Sequence, residues 1–493
     1  MRRFLLLAAC TASLTASAVP AGGPTLPGGP GLGTIRAADL MKTVEYLASP
    51  RFGGRPSGGP GYLKAARAMA ARFHSLGMRP GGEDGFFQRL EIEYEEIDAC
   101  RLALLLPDGS MRRLRLGPDF VARGLSGSGR LSVPVVFAGY GLSAPEQGYD
   151  DYAGIDARGK IVLAFKTAPP FRPDSLGWGD RLEPRPRGRA AAAHGARGLL
   201  LVAFDDPEGL TMPIGSFLEG PGPQDEDFPR LMVDVPIAEE MVSTAGLRLA
   251  ELKAAIDSTR RPQSHDLAVQ ARLDVRARYR ARQPSVNVVA LLEGSDPVLR
   301  EECLVIGAHL DHVGAQAGEL WFPGANDNAS GAAAVLALAR AFAQGERPMR
   351  SVAFVLFSSE EAGLDGSRRF VADPPVPPAR IVAFLNLDCV AVGDSIQLGN
   401  GKSSPRLWQL ARDLDARGSR LSVAATWGEG SADATPFFER GIPALYFASQ
   451  PSYAHIHQAG DTPATLNPRL FEELVRLAYR VAWQVAQGGY PRE

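Results

Sequence analysis

The stretch CLVIGAHLDHVG, residues 303–314, decides how the second half of the chain folds. Its first seven residues are almost continuously apolar, and a histidine closes the run. Three further runs share that texture: SVAFVLF (351–357), RIVAFLN (380–386) and IPALYFA (442–448). Apolar runs without polar alternation suit strands covered on both faces of a sheet. Helix formers separate them: ASGAAAV (329–335) continues to Ala343, and Pro468 to Gln487 makes an amphipathic last helix. Alternating strand and helix predicts the class α/β, a three-layer sandwich around a mostly parallel central sheet.

Upstream, Leu40, Val44 and Leu47 share one helical face, and Ala66, Met69, Ala70 and Phe73 share another that ends at Gly77. The loop between them, SPRFGGRPSGGPGY, is dense in glycine and proline. From Arg112 to Arg276 the texture changes to short strand-like runs: VPVVFAGYG (133–141), KIVLAFK (160–166) and GLLLVAF (198–204). One helix is expected over Ala190–Ala196. This stretch, 112–276, holds no cluster of His, Asp and Glu at ligand spacing and reads as a separate β-rich module. Arg181, Arg185, Arg187 and Arg189 read as a solvated loop within it.

At 493 residues the chain is too long for one ordinary core, so two or three domains are expected. A net charge of −2 and the lack of a basic, aromatic stripe exclude nucleic acid as a partner. Arg2 and Arg3, the apolar Phe4–Ala16 run and Ala16-Ser17-Ala18 form a signal peptide over 1–18, directing export to the periplasm or the exterior. The alternative is a lipid anchor at Cys10 in LAAC, less favoured because only nine residues precede that cysteine. Residues 19–33 are a Gly/Pro-rich linker. No other run is long enough to cross a bilayer. Cys100, Cys303 and Cys389 make no CxxC pair, and the last two read as buried small hydrophobes.

Ligands of open α/β sheets gather beyond the carboxyl ends of the strands. His309 closes one strand, Glu360 and Glu361 follow a second, and Asp388 follows a third. Asp327 precedes the alanine-rich helix, and His457 follows the strand ending near Ala448. Two histidines and three carboxylates suit a pair of zinc ions if one carboxylate bridges them, with Glu360 left to move protons. Each residue has a plainer reading. Asp327 could cap its helix, Glu360 and Glu361 could be solvated charges, and His309 could be an ordinary satisfied histidine. Asp388 is harder to dismiss, since an acid in an apolar strand is costly to bury unpartnered. It is the convergence of all six that points to a metallohydrolase.

The strings GAHLDHVG (307–314), PGANDNASG (323–331), SSEEAGLDGS (358–367), NLDCV (386–390) and HQAGDT (457–462) resemble the co-catalytic di-zinc aminopeptidases, family-28 metallopeptidases of the secreted bacterial type. LASPRFGGRPSGGPGY (47–62) and GIPAL (441–445) extend the resemblance over most of residues 34–485. FAGYGL, YDDYAGIDARGKIVLAF and AAAHGARGLLLVA are similar to a protease-associated domain carried as an insert. The resemblance therefore implies a peptidase domain in two parts, 34–111 and 277–488, interrupted by the insert at 112–276.

It also implies roles. His309 and Asp388 would hold one zinc, Glu361 and His457 the other, and Asp327 would bridge both. Asp311 would fix the ring of His309, and Glu360 would be the general base acting on a water shared by the metals. Adjacent residues of an extended segment face opposite ways, which would let Glu361 point away from Glu360. The implied activity is a zinc-dependent aminopeptidase acting on peptide and protein N-termini. Related di-zinc carboxypeptidases, dipeptidases and cyclases would keep the same metals. An inactive peptidase-like binding protein is the alternative of a different class. Several relatives place a tyrosine just before the last histidine ligand, where this chain has Ile456. Tyr453 and His455 are the nearby candidates for the oxyanion or rim, and His455 could compete with His457. His312 reads as a structural or rim residue, and Asp433 as an outer acid. Oligomeric state and the preferred N-terminal residue are not legible.

Overall fold

The computed structural model describes residues 29–171, 179–205, 211–220, 222–451 and 453–492. The segment read as an export signal, including Cys10, and most of the linker lie outside these residues. The linker's last residues are docked: Gly31 N donates to the hydroxyl of Tyr479 at 3.1 Å.

The four apolar runs form the strands Cys303–His309, Ser351–Phe357, Ile381–Leu387 and Ala444–Gln450. They pair in parallel, with His309 opposite Phe357 and Leu385 opposite Leu445. Ser395–Gly399 closes that edge antiparallel. Alternate residues of the first strand feed different cores. Leu304 and Ile306 join Val44, Phe73, Leu338 and Tyr479 on one face. Cys303 and Val305 join Phe370, Phe384 and Phe437 on the other. Two apolar faces on one sheet require helices on both sides, which is why three layers form.

Beyond the 351–357 strand, one 28-residue strand, His265–Leu292, carries the sheet onward. It pairs antiparallel with the 19-residue Phe87–Leu105 and with Gly129–Phe137. The boundary read at 276/277 falls inside it. Its middle, VRARYRARQ, alternates basic residues and faces acids: Arg278 stands 2.8 Å from both Glu96 and Asp98. A ribbon stabilised by charge carries no apolar run to announce it.

A second core lies past this ribbon. Ile161–Phe165, Gly198–Val202 and Arg230–Val233 pair in parallel. The reading of this part as β-rich is incomplete, because its described residues carry three α-helices. The expected helix begins at Pro184 and ends at Ala193, while Val235–Ser243 and Leu249–Thr259 were not anticipated. Val235–Ser243 buries Ile237, Ala238, Met241 and Val242, and Leu249–Thr259 buries Leu249, Leu252 and Ile256, so the helical spacing was present in the sequence and was passed over. The arginine-rich stretch is not uniformly solvated either. Arg185 and Arg187 are each 4% exposed, and Arg187 donates to the carbonyls of Phe165 and Lys166 at 2.6 and 2.9 Å. Buried carbonyls at the strand end need donors, and a guanidinium supplies several at once. Cys100, Cys303 and Cys389 are buried and unbridged. No helix among the described residues is long and apolar enough to cross a membrane.

Candidate metal centre

The carboxyl ends of three parallel strands bring His309, Glu360, Glu361 and Asp388 to one rim, where Asp327 and His457 arrive from loops. His309 Nε2 lies 3.3 Å from Asp327 Oδ1 and 3.3 Å from Asp388 Oδ1. His457 Nε2 lies 3.1 Å from Asp327 Oδ2 and 2.9 Å from Glu361 Oε2. Asp327 thus presents one oxygen to each histidine. Potential ligand atoms within 4.8 Å of one another form the groups His309, Asp327, Asp388 and His312, Asp327, Glu361, His457, with Asp327 in both, and a further group of His309, Glu360 and Glu361.

The capping alternative for Asp327 does not hold. Its dihedrals, φ −110° and ψ 97°, are not helical, and the helix that follows starts four residues later at Gly331. Its own amide is held by Asp461, whose two oxygens accept from Asn326 N at 2.8 Å and Asp327 N at 3.0 Å. Glu360 and Glu361 diverge for a different reason than an extended chain. They sit in a turn in which Gly363 N donates to Glu360 O at 3.1 Å. Glu360 Oε2 ends 4.0 Å from His309 Nε2, whereas Glu361 faces His457.

Asp311 also differs from expectation. Its carboxylate is 3.8 Å from His309 Nδ1, and it is the Asp311 carbonyl that meets that nitrogen, at 3.3 Å. The carboxylate instead accepts from the amides of Glu360 and Glu361, each at 3.3 Å. Asp311 therefore holds the glutamate pair through its carboxylate and meets the imidazole of His309 through its carbonyl. His312 is fully buried, not at a rim, with Nδ1 2.8 Å from Glu361 Oε1. Asp433 is likewise fully buried. His455 is half-buried beside Gly460 and lies outside the ligand groups. The side chain of Tyr453 lies outside the described residues.

Three contributors were not singled out from sequence. Arg55, fully buried, donates to the carbonyls of Leu310, Leu47, Pro323 and Gly324 at 2.8–2.9 Å, tying the loop after His309 to the loop before Asp327. Ser57 Oγ accepts from Ser359 N at 2.7 Å. Tyr446 donates its hydroxyl to Asp388 Oδ2 at 2.7 Å. The glycine-rich 47–62 motif was the available signal for the first two. Tyr446 sits opposite Asn386 in the parallel pair, two residues before Asp388, a placement that only strand register reveals.

The charge balance supports a cation at this place. Asp311, Asp327, Glu361, Asp388, Asp433 and Asp461 are all buried, and among the described residues they outnumber the positive charge facing them, which comes from Arg55 and from the imidazoles of His309 and His457. Burial opposes ionisation of Asp327, but hydrogen bonds from His309 and His457 hold it well below the usual carboxylate range. Glu361 is likewise held near 2 against burial, chiefly by His457. Burial drives Glu360 the other way, well above its ordinary value, with Glu361 and Asp388 adding repulsion against the pull of His309. Isolated buried carboxylates are costly unless paired or bound to metal. Nitrogen and carboxylate donors of this kind suit zinc. The side chains of Glu360 and His457 are 18% and 16% exposed against 8% or less for Asp327, Glu361 and Asp388, so a substrate meets the cluster on their side.

Comparison with known proteins defines the class. Residues 287–482 match the family model "Peptidase family M28". Leupeptin-inactivating enzyme 1 of Streptomyces exfoliatus is 33% identical over 159 residues, 32% of this chain and 34% of that protein. An aminopeptidase of Pseudomonas aeruginosa is 35% identical over 143 residues, 28% of this chain and 24% of that one. The chain spans from about a quarter to about three fifths of the length of the first curated relatives it matches. The zinc aminopeptidase of Bacillus subtilis superposes with a TM-score of 0.62 at 19% identity, covering 93% of this chain and 97% of that one. That likeness shows the fold, which extends through the second core as well as the first.

Proposed function

We propose that the protein is an exported zinc-dependent aminopeptidase that hydrolyses the first bond of peptides, with Glu360 as general base. The observation that carries this reading is the sharing of Asp327 between two groups of buried donors, beside a more open glutamate. His309 and Asp388 would hold one zinc, Glu361 and His457 the other, and Asp327 both. Residues 112–276 would serve as a protease-associated insert. The aminopeptidase names of the Pseudomonas and Bacillus proteins support the choice of reaction.

Bound zinc would supply Lewis acidity for the scissile carbonyl and would lower the pKa of water to near neutrality. The chain's own residues do the rest. Glu360 takes a proton from the attacking water and returns it to the leaving amine. Asp311 holds the Glu360 and Glu361 amides, so the base and its neighbouring ligand keep a fixed separation. Tyr446 holds one oxygen of Asp388 and leaves the other toward His309.

Metal quantification together with a panel of aminoacyl arylamides tests the proposal. Two equivalents of zinc and cleavage only of substrates with a free α-amine are expected. Equal cleavage of amino-acetylated peptides would remove the aminopeptidase reading while leaving a di-zinc hydrolase. Absence of stoichiometric zinc would remove the metallohydrolase itself.

A further inference from the structure

One contact joins the second core to the last of the proposed ligands. Gly215 N donates to the carbonyl of His457 at 2.9 Å. His457 has φ +54°, a left-handed conformation that is strained for a non-glycine residue. Such residues persist where their surroundings over-determine them. The Gly215 amide is one such constraint, and it comes from 242 positions earlier in the chain.

The segment that carries Gly215 is itself held firmly. Ile214 is 5% exposed and lies in one apolar cluster with Val121, Ala203 and Met232 of the second core and with Val313 and Phe322 of the catalytic part. A Cβ on Gly215 would come within 3.0 Å of Val313 Cγ2 and 3.2 Å of the Phe322 ring, so any larger residue needs those side chains to give by a few tenths of an ångström. Ser216 O accepts from Gly124 N at 2.7 Å. Glu219, four residues on, is buried between Arg123 Nε at 3.3 Å and Arg230 Nε at 3.2 Å. A buried ion pair is weak evidence for stability but is well suited to fixing register. Here it would fix how far the segment reaches toward His457.

We infer that residues 214–219 form a clamp through which the second core positions His457, with the Gly215 amide as its contact and the Arg123–Glu219–Arg230 cluster as its anchor. This rests on His457 being a zinc ligand, as proposed above. Gly215 is a positioning residue: it acts through the His457 backbone and touches no substrate. Losing an outer contact of this kind weakens a metal ligand set by roughly 10- to 100-fold. The consequence is selective, since the hydrogen bonds and ion pairs of His309 and Asp388 go to residues other than 214–219. Folding of the second core and affinity at one of two neighbouring zinc positions are thereby linked.

Zinc titration of the full-length chain against a chromophoric chelator tests this, with melting of the zinc-free protein as the folding control. Gly215→Pro removes the donor. Gly215→Ala combined with Val313→Ala keeps it and relieves the tighter of the two contacts, leaving the Phe322 ring to give by a few tenths of an ångström. Each is measured alone and in His309→Ala and His457→Ala backgrounds, because contacting groups are non-additive and independent ones add. The expected result is a loss of roughly 10- to 100-fold at one zinc position for Gly215→Pro. That loss persists with His309→Ala and vanishes with His457→Ala, and the alanine pair restores the wild-type affinity. Wild-type affinities in Gly215→Pro, or the same loss in both backgrounds, would overturn the clamp. If Gly215→Pro fails to melt cooperatively, Glu219→Gln loosens the anchor in its place. In the same cycle its loss of affinity should also vanish with His457→Ala, and wild-type affinity or an equal loss in both backgrounds would again overturn the clamp. Failure of the unaltered protein to bind zinc would overturn the proposed function instead.

Discussion

Two buried polar clusters in this protein are built in opposite ways. Around Asp327, buried acids outnumber the cationic side chains, and Arg55 is committed to four carbonyls. Around Glu219, the second core supplies Arg123 and Arg230 on either side of the carboxylate, all at most 4% exposed, and the buried acid Glu95 lies within reach of Arg230. The second cluster closes on itself. The first is short of positive charge and opens through Glu360 and His457. A cluster whose charges are matched by its own side chains needs nothing more, whereas an acid-rich one at a strand-end rim invites a cation.

The comparison can be broken most directly at Asp327. Asp327→Ala should weaken zinc at both positions by at least about 100-fold, read as metal content after dialysis against chelator. Loss of one equivalent alone would show that the two groups do not share this residue. Glu360→Gln should lower turnover by about 10²- to 10⁴-fold with both zinc ions retained, because it removes a proton carrier and no ligand. Substantial residual activity would assign the proton to another group. In the closed cluster the expected damage is to stability. Arg123→Met leaves Glu219 short of a partner and should cost about 3–5 kcal/mol in denaturant unfolding of the second core. A cost near zero would mean that Arg230 alone satisfies Glu219. The smallest effect is expected at the edge of the first cluster. Tyr446→Phe removes one hydrogen bond to Asp388 and should weaken a single zinc position roughly tenfold. An equal effect on both positions would show that Tyr446 acts on the rim as a whole.

Much of the first cluster was legible because its members close or follow apolar runs, and a strand end is visible in composition. That the Asp311 carboxylate also holds the Glu360 and Glu361 amides was not legible, because the turn that aims those amides at it has no apolar signature. Arg55 and Tyr446 were missed for a related reason. Their partners are carbonyls and an acid on segments distant in the chain, or on a neighbouring strand whose register sequence does not state. The second cluster was not read from the sequence at all, and two other arginines of the second core were misread. Arg185 and Arg187 look like solvated charge in a proline-rich stretch, yet the fold turns Arg187 onto the carbonyls at the end of a strand and Arg185 onto the carbonyl of Gly222 beside Glu93.

By itself the sequence determined the α/β class and the identity of the rim residues, since apolar periodicity and the residues that end each run are local properties. Only the tertiary structure decided which oxygen faces which nitrogen, and that the 28-residue strand joins two cores into one sheet. It also decided that a glycine of the second core meets the backbone of His457. Those outcomes depend on register, on turn geometry and on where long side chains find buried carbonyls, and these are fixed by packing between segments rather than by the order of residues within one.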